Sequence, residues 1–219
     1  REGYDVTGVT LRLYNQPNSS KSKSCCAGID INDAKKVAEQ YDFSHKIFDY
    51  QDKFFNGVIS NFVDSYANGE TPVPCIQCNQ TVKFSDLLEE SKNLNADALI
   101  TGHYAIRKGG LKGSKLFKAK DKTKDQSYFL FATLQDQLDY VRFPLGNYLK
   151  SEIRQMANDY KLTVSDKPDS QDICFVTSDS YRDLINKLQP EINKEGNIFD
   201  IHGNKIGVHK GIANYTVGQ

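Results

Sequence analysis

The sequence predicts an α/β fold with a mainly parallel sheet. Short segments rich in Val, Ile and Leu alternate with stretches in which apolar residues recur every three to four positions, in the order strand, helix, strand, helix, helix, strand. Hydrophobic residues make up 38% of the 219 residues, enough for a core, and the mean hydropathy is −0.58. Because no run approaches the roughly 18 apolar residues of a membrane helix, a transmembrane protein is not expected. We expect right-handed crossovers between the parallel strands.

The first half of the chain supplies the clearest elements. The pattern predicts a strand over 6–13, a helix over 30–41 capped by Asp30 or Asn32, a strand over 45–50 and an amphipathic helix over 54–66. The segment 67–79 contains Asn-Gly-Glu-Thr-Pro-Val-Pro and is predicted to be a loop. A helix over 81–94 and a short strand over 98–101 follow.

The second half predicts a helix near 150–160 and, beyond residue 192, small hairpins punctuated by glycines. Asp166-Lys167-Pro168-Asp169 is typical of a linker or turn. We therefore predict two domains, 1–165 and 166–219.

The five cysteines are Cys25, Cys26, Cys75, Cys78 and Cys174. An odd number in a chain of this length argues against a secreted disulfide scaffold, and the first residues show no basic-then-apolar leader. We expect a reducing, cytoplasmic setting. There, cysteines act as core filler, metal ligands or nucleophiles.

Cys75-Ile76-Gln77-Cys78 is the strongest chemical motif. Two thiols three residues apart can chelate a metal, cycle as a dithiol or present one nucleophile. Cys78 would lie just before the helix predicted over 81–94, where the helix dipole favours a thiolate. Cys174, in Asp-Ile-Cys-Phe, is either buried filler or a partner for Cys78.

Gly102 and His103 follow the strand predicted over 98–101. Ligands of open α/β sheets bind beyond the carboxyl ends of strands, and a glycine there lets a ligand approach the backbone. His103 is either an acid, base or phosphate contact, or a hydrogen-bonded turn histidine.

A local basic segment stands out in a chain whose 28 basic and 28 acidic residues cancel. Residues 107–124 hold eight Lys or Arg and one acid, Asp121. Such a segment is either a solvated face or an RNA-binding footprint. Gln126 and Tyr128, just beyond it, offer hydrogen bonds and stacking to unpaired bases.

The strings TPVPCIQCNQTVKF, ITGHYA, KDQSYFL, RFPLG, DSQDICF and HKGIANYTVGQ, in this order, resemble the bacterial tRNA-specific 2-thiouridylases along essentially the whole chain. The resemblance implies a Rossmann-like adenine nucleotide alpha hydrolase (ATP pyrophosphatase) domain followed by part of a small central domain. It also implies replacement of the C2 oxygen of the wobble uridine by sulfur in tRNAs for Lys, Glu and Gln.

The resemblance further implies ATP with Mg²⁺, adenylation of the base oxygen, and a cysteine persulfide loaded by a cysteine desulfurase or a sulfur-relay protein. Cys174 would carry the persulfide and Cys78 would be the second catalytic cysteine. Gly102 and the backbone of Leu11 would lie against ATP. The residues expected to contact tRNA are Val73, Pro74, Cys75, His103, Lys124, Asp125 and Gln126.

The chain departs from the family pattern in two respects. The phosphate loop Ser-Gly-Gly-Val-Asp-Ser and the C-terminal barrel are absent, so we expect an internal fragment of a longer protein. Val-Pro-Cys stands where other members have Asn-Pro-Asp, which adds a thiol. Cys75, Cys78 and Cys174 are therefore also candidates to hold a [4Fe–4S] cluster.

Two other functions remain open at this point. One is another ATP pyrophosphatase that acts on a small molecule. The other is a non-catalytic metal-binding RNA module built on Cys75 and Cys78, for which stoichiometric zinc would be the signature.

Overall fold

The computed structural model describes residues 3–14, 28–169, 173–176 and 180–216. Its strands are β1 Thr7–Arg12, β2 Ser44–Asp49, β3 Leu99–Ile100, β4 Ala105–Lys108, β5 Lys115–Lys118, β6 Val141–Arg142, β7 Gly196–Phe199 and β8 Lys205–His209. Its α-helices are α1 Gly28–Tyr41, α2 Gln51–Phe54, α3 Ser60–Ala67, α4 Pro74–Cys78, α5 Leu87–Asn93, α6 Gln135–Tyr140, α7 Lys150–Asp159 and α8 Tyr181–Leu188.

Two π-helical segments interrupt the long helices. Phe55–Ile59 joins α2 to α3, and Asn79–Asp86 joins α4 to α5. The chain is therefore helical without a break from Gln51 to Ala67 and from Pro74 to Asn93. Segments of this kind are frequent at functional sites. In the described part of the chain, no helix has the length and apolar character needed to cross a membrane.

The chain forms two compact units that interleave along the sequence. The first comprises the described parts of Arg1–Leu11, Gly28–Phe48 and Cys75–Asp169. The second comprises those of Arg12–Ala27, Asp49–Pro74 and Ser170–Gln219. The division into domains 1–165 and 166–219 stays a prediction.

The first unit holds the parallel pairing expected of an α/β fold. β3 and β6 run parallel, with Leu99 opposite Val141 and Ile100 opposite Arg142. Around this pair the buried core comprises Phe84, Leu88, Leu99, Ala105, Leu130, Leu138, Val141 and Phe143. β1 pairs with β2, and β4 pairs antiparallel with β5 as a local hairpin. A parallel pair is thus present, as expected of an α/β fold, although the described strands form separate two-stranded sheets.

The second unit is built around aromatic side chains. Phe175 meets Phe54 and Phe62 edge-on, with ring centroids 5.6 and 5.3 Å apart. Tyr181 of α8 stacks on Tyr66 of α3 at 4.7 Å. Such edge and offset contacts stabilise a core by about 0.5–1.5 kcal/mol each beyond the burial of their area. β7 and β8 form the antiparallel hairpin predicted near the C-terminus.

The predicted elements agree with the structure except at the start of α1 and around the cysteine motif. The helix cap predicted at Asp30 or Asn32 was wrong, because α1 begins at Gly28 and both residues lie inside it. The strand over 6–13 and the helix over 150–160 are confirmed as β1 and α7. The loop predicted over 67–79 was wrong at its end, because α4 begins at Pro74. Proline is tolerated in the first turn of a helix, where its missing N–H has no intrahelical partner to lose.

Candidate functional site

Cys78 lies inside a helix rather than in front of one. It is the last residue of α4, directly before the π-helical segment, and is only 7% exposed. The expectation that it sits at a helix N-terminus was therefore wrong, because the helix begins four residues earlier at Pro74. Cys75, one turn before it, is exposed. Both carry thiols rather than a disulfide.

Asn79, next to Cys78, ties this helix to the segment that follows the Lys124-Asp125-Gln126 motif. It is 3% exposed, and its Nδ2 donates to the Phe129 carbonyl oxygen at 3.0 Å. Its buried Oδ1 has no hydrogen-bond partner among the residues that the structure describes. The side chain of Asn79 thus fixes the backbone position of its neighbour Cys78.

Gly102 lies beyond the carboxyl end of β3, as the sequence predicted. The Thr101 N–H donates to the Arg142 carbonyl at 3.1 Å, which extends the pairing of β3 with β6 by one residue. Gly102 itself is exposed. Leu11 is buried in β1, 9% exposed. An exposed glycine at a strand end leaves its backbone open to a ligand.

His103 is a neutral, half-buried side chain. Its Nδ1 is 2.8 Å from Thr101 Oγ1, and its ring lies near those of Phe84 and Phe143 at 5.9 and 6.0 Å. Burial lowers the pKa of His103 to about 3, and the positive charge of Lys83 acts in the same direction. The imidazole can therefore offer hydrogen bonds, but no positive charge, at neutral pH.

The side chains of Lys124, Asp125 and Gln126 all have partners within the first unit. Gln126 Oε1 accepts from the Tyr104 N–H at 2.9 Å, and the Gln126 N–H donates to the Tyr104 carbonyl at 2.8 Å. Asp125 accepts from the Ala119 N–H at 2.8 Å and from the hydroxyl of Ser127, also at 2.8 Å. These bonds hold the motif in one conformation.

Three sequence motifs are therefore brought together in the first unit. The two hydrogen bonds between Tyr104 and Gln126 join the Gly102-His103 turn to the Lys-Asp-Gln motif. The bond from Asn79 to Phe129 then joins the same segment to the Cys78 helix. Tyr104 and Gln126 are 22 positions apart in the sequence, and Asn79 and Phe129 are 50 apart. Hydrogen bonds between side chain and backbone make each pair neighbours.

Cys174, like Val73 and Pro74, belongs to the second unit. The Tyr14 hydroxyl donates to the Cys174 carbonyl at 2.5 Å, and the Val176 N–H closes a turn onto the Ile173 carbonyl at 3.0 Å. The next residue, Phe175, is buried in the aromatic core. Cys174 thus sits half-buried in a turn that is anchored on both sides.

The basic segment 107–124 contains the β4–β5 hairpin. Lys108 lies opposite Lys115, and Ala105 lies opposite Lys118. Lys120 pairs with Glu152 at 3.0 Å, so part of the positive charge of this segment is balanced within the fold. The hairpin itself presents the lysines of both strands on an exposed ladder.

No three Cys, His, Asp or Glu side chains gather into a metal-ligand set within the ranges that the structure describes. The [4Fe–4S] reading gains no geometric support from them. Cys25 and Cys26 lie outside the described residues.

Sequence reasoning missed Asp169, Lys150 and Arg154. These three come together with Lys124 at one carboxylate. The available signal was the spacing of Lys150 and Arg154, four apart on the helix predicted over 150–160, which places both on one face. Nothing in the sequence indicated that Asp169 would meet that face.

Comparison with known proteins gives a consistent answer. The family model described as tRNA methyl transferase HUP domain matches residues 1–178. The chain is 54% identical to a tRNA-specific 2-thiouridylase MnmA of Orientia tsutsugamushi (strain Boryong) and 51% to that of Rickettsia bellii (strain OSU 85-389), over 100% of the chain in each case. It is 52% identical to the protein of the same name from Bradyrhizobium sp. (strain BTAi1). The chain spans 59%, 60% and 55% of these relatives' lengths.

Proposed function

The chain belongs to the tRNA methyl transferase HUP domain family, a Rossmann-like nucleotide alpha hydrolase fold, and we propose that it is part of a tRNA 2-thiouridylase. The observation that carries this proposal is the identity of 51–54% over the whole chain to proteins named for that reaction. The two thiols Cys78 and Cys174, each held by its local fold, suit sulfur transfer.

In the proposed reaction, ATP first adenylates the C2 oxygen of the wobble uridine and releases pyrophosphate. The terminal sulfur of a persulfide on Cys174 then attacks C2, and AMP leaves with the oxygen. The thiolate of Cys78 next attacks the Sγ of Cys174 and breaks the S–S bond to the base. The products are 2-thiouridine and a Cys78–Cys174 disulfide, which an external thiol reduces before the next cycle.

ATP would lie against Gly102, with the backbone of Leu11 near the adenine. The exposure of Gly102 at the end of β3 supports this placement. Mg²⁺ would accompany the ATP phosphates. The proposed reaction uses thiol chemistry and involves no [4Fe–4S] cluster.

We propose that tRNA is contacted by the residues Val73, Pro74, Cys75, His103, Lys124, Asp125 and Gln126. The target base would be bordered by Val73, just before α4, and by Pro74 and Cys75, the first two residues of α4. Val73 is 38% exposed. His103, with its lowered pKa, would contribute a hydrogen bond rather than charge. Asp125 and Gln126 would position the motif, because their side chains already bond within the fold, and Lys124 would supply charge.

We also propose which tRNAs are the substrates, what donates the sulfur, where the reaction takes place and how the chain divides into domains. The substrates would be tRNAs of the Lys, Glu and Gln type. The sulfur would come from a cysteine desulfurase or a sulfur-relay protein, and the reaction would take place in the cytoplasm. The chain would divide into an ATP-pyrophosphatase-type domain, 1–165, and part of a central domain, 166–219.

The proposal is tested with the full-length protein, because the chain spans only about three fifths of the first two relatives described above. Unmodified tRNA, ATP, Mg²⁺ and a persulfide donor are incubated with the protein, and nucleosides are analysed by mass spectrometry. We expect 2-thiouridine, with one AMP and one pyrophosphate per sulfur inserted. Production of a methylated nucleoside, or of AMP without any thiolated base, would overturn the proposal.

We predict that Gly102→Ala raises the KM for ATP roughly 10-fold, the scale set by one methyl group at a binding surface. The added methyl would meet only Leu145 Cδ1, at 3.7 Å, so the fold tolerates it. Steady-state kinetics at saturating tRNA measures the effect. Gly28→Ala, another exposed glycine with open space around its Cβ, is the matched control. An unchanged KM for ATP in the Gly102 variant would remove Gly102 from the nucleotide site.

A further inference from the structure

Three cations converge on the single carboxylate of Asp169. Lys124 Nζ lies 2.8 Å from Oδ2, Lys150 Nζ lies 3.0 Å from Oδ1, and Arg154 Nη2 lies 3.5 Å from Oδ1. Both oxygens of the carboxylate are therefore engaged. The pKa of Asp169 falls to about 2, chiefly through the hydrogen bonds from Lys124 and Lys150.

The backbone that carries the three cations is fixed independently of Asp169. Lys150 and Arg154 lie one turn apart on α7. The Lys150 N–H donates to Asp121 Oδ2 at 3.0 Å, while Asp121 Oδ1 accepts from Thr123, one residue before Lys124. Asp121 therefore fixes the backbone near Lys124 to the start of α7.

The side chain of Lys150 also has a second contact. Lys150 Nζ lies over the ring of Tyr104, 5.5 Å from its centroid. The nearby Lys120 is turned to a different acid, Glu152, at 3.0 Å. Asp169 is thus the carboxylate that Lys124, Lys150 and Arg154 share, and without it their charges would repel one another.

The site remains open to solvent. The side chains of Lys124, Lys150 and Arg154 are 40%, 31% and 46% exposed, and that of Asp169 is 25% exposed. A fully buried ion pair would be inaccessible to an anion from solution, whereas the side chains of this cluster can be reached by one. Lys124 is also the last residue of the basic segment 107–124, so the cluster continues its positive surface.

We propose that Lys124, Lys150 and Arg154 form a binding site for a backbone phosphate of RNA, and that the Asp169 carboxylate occupies this site in the free protein. This inference rests on the proposed function, which supplies tRNA as the ligand. A phosphodiester carries one negative charge shared by two non-bridging oxygens, just as a carboxylate shares its charge between two oxygens. It can therefore replace Asp169 on the same three donors.

The occupancy by Asp169 has a thermodynamic consequence. A tRNA phosphate must displace an internal carboxylate, so Asp169 lowers the affinity for RNA while it keeps three like charges from repelling one another. Removal of its charge leaves the donors in place without their internal partner. The variant Asp169→Asn is therefore expected to bind tRNA more tightly, whereas a purely structural ion pair predicts no gain.

The test uses full-length protein and unmodified tRNA at several salt concentrations. We expect Asp169→Asn to bind about 5-fold more tightly near 0.1 M salt, given the modest strength of each partly exposed pair. Lys150→Gln and Arg154→Gln are each expected to weaken binding and to make the log–log salt dependence shallower by about 1. Lys36→Gln, an exposed lysine on α1, is the matched control and should change neither.

The outcomes separate the inference from the proposed function. If wild-type protein thiolates tRNA but Lys150→Gln and Arg154→Gln bind it as the Lys36 variant does, the phosphate site is wrong and the function stands. If Asp169→Asn unfolds at a lower temperature, its affinity is read at a temperature where it is fully folded, and an unchanged affinity identifies a structural ion pair only. Wild-type protein that binds no tRNA would overturn both.

Discussion

Replacement of either Cys78 or Cys174 by serine is expected to lower tRNA thiolation by at least about 10³-fold, because each supplies a sulfur atom that forms or breaks a bond. Cys174 would carry the sulfur, and Cys78 would release it to the base. Thiolation is measured as 2-thiouridine formed by full-length protein. Because Cys78 is 7% exposed, Cys78→Ala is tested beside Cys78→Ser to separate lost chemistry from a buried hydroxyl.

The two cysteine variants should fail at different steps. Without Cys174 no persulfide forms, and tRNA stays unattached. Without Cys78 the persulfide on Cys174 can still attack the adenylated base, but the S–S bond to the protein persists. We therefore expect a covalent protein–tRNA adduct in the Cys78 variant alone, which a thiol reductant releases. A denaturing gel with and without reductant distinguishes the two.

The other cysteines provide the controls for this experiment. Cys25→Ser and Cys26→Ser should retain activity. In wild-type protein after a single turnover without reductant, peptide mapping should show a Cys78–Cys174 disulfide. Full activity in either the Cys78 or the Cys174 variant would defeat the two-cysteine relay. So would a disulfide found exclusively between Cys75 and Cys78, which would favour a dithiol or metal role for that motif.

Gly146→Ala is expected to destabilise the fold by roughly 3 kcal/mol or more, the upper range for overpacking, because the added methyl would strike rigid backbone. A Cβ on Gly146 would lie 1.9 Å from the Ala105 carbonyl oxygen and 2.4 Å from its carbon. β4 and the turn that contains Gly146 would have to separate. The Gly146 carbonyl, which accepts from the Lys120 N–H at 2.9 Å, would move with them.

Urea unfolding of the full-length protein measures this effect. Gly102→Ala is the control, because its Cβ would make only an ordinary contact, and it should change stability by less than about 1 kcal/mol. Ala105 directly follows Tyr104, which is bonded to Gln126, so we also expect the Gly146 variant to bind tRNA less well. A Gly146 variant as stable as the Gly102 variant would contradict the close approach.

Most single elements were predictable because their signals are local. The helix 54–66 repeats apolar residues at helical spacing, and its side chains Phe54, Phe62 and Tyr66 do form the core of the second unit. The helix start at Pro74 was not predicted. A proline can either end a helix or begin one, and the sequence around Val73 and Cys75 does not decide between them.

The sequence by itself determined the α/β class, the family resemblance and the candidate residues Cys78, Gly102 and Lys124, since motif strings and hydrophobic periods are properties of neighbouring positions. Only the tertiary structure decided which candidates meet. Asn79 joins the Cys78 helix to Phe129, and Asp169 gathers cations from 45, 19 and 15 residues away, because long-range pairing depends on how the chain folds back on itself. It likewise decided that His103 is neutral, since burial beside aromatic rings lowers its pKa, and the local sequence does not indicate that this polar side chain is buried.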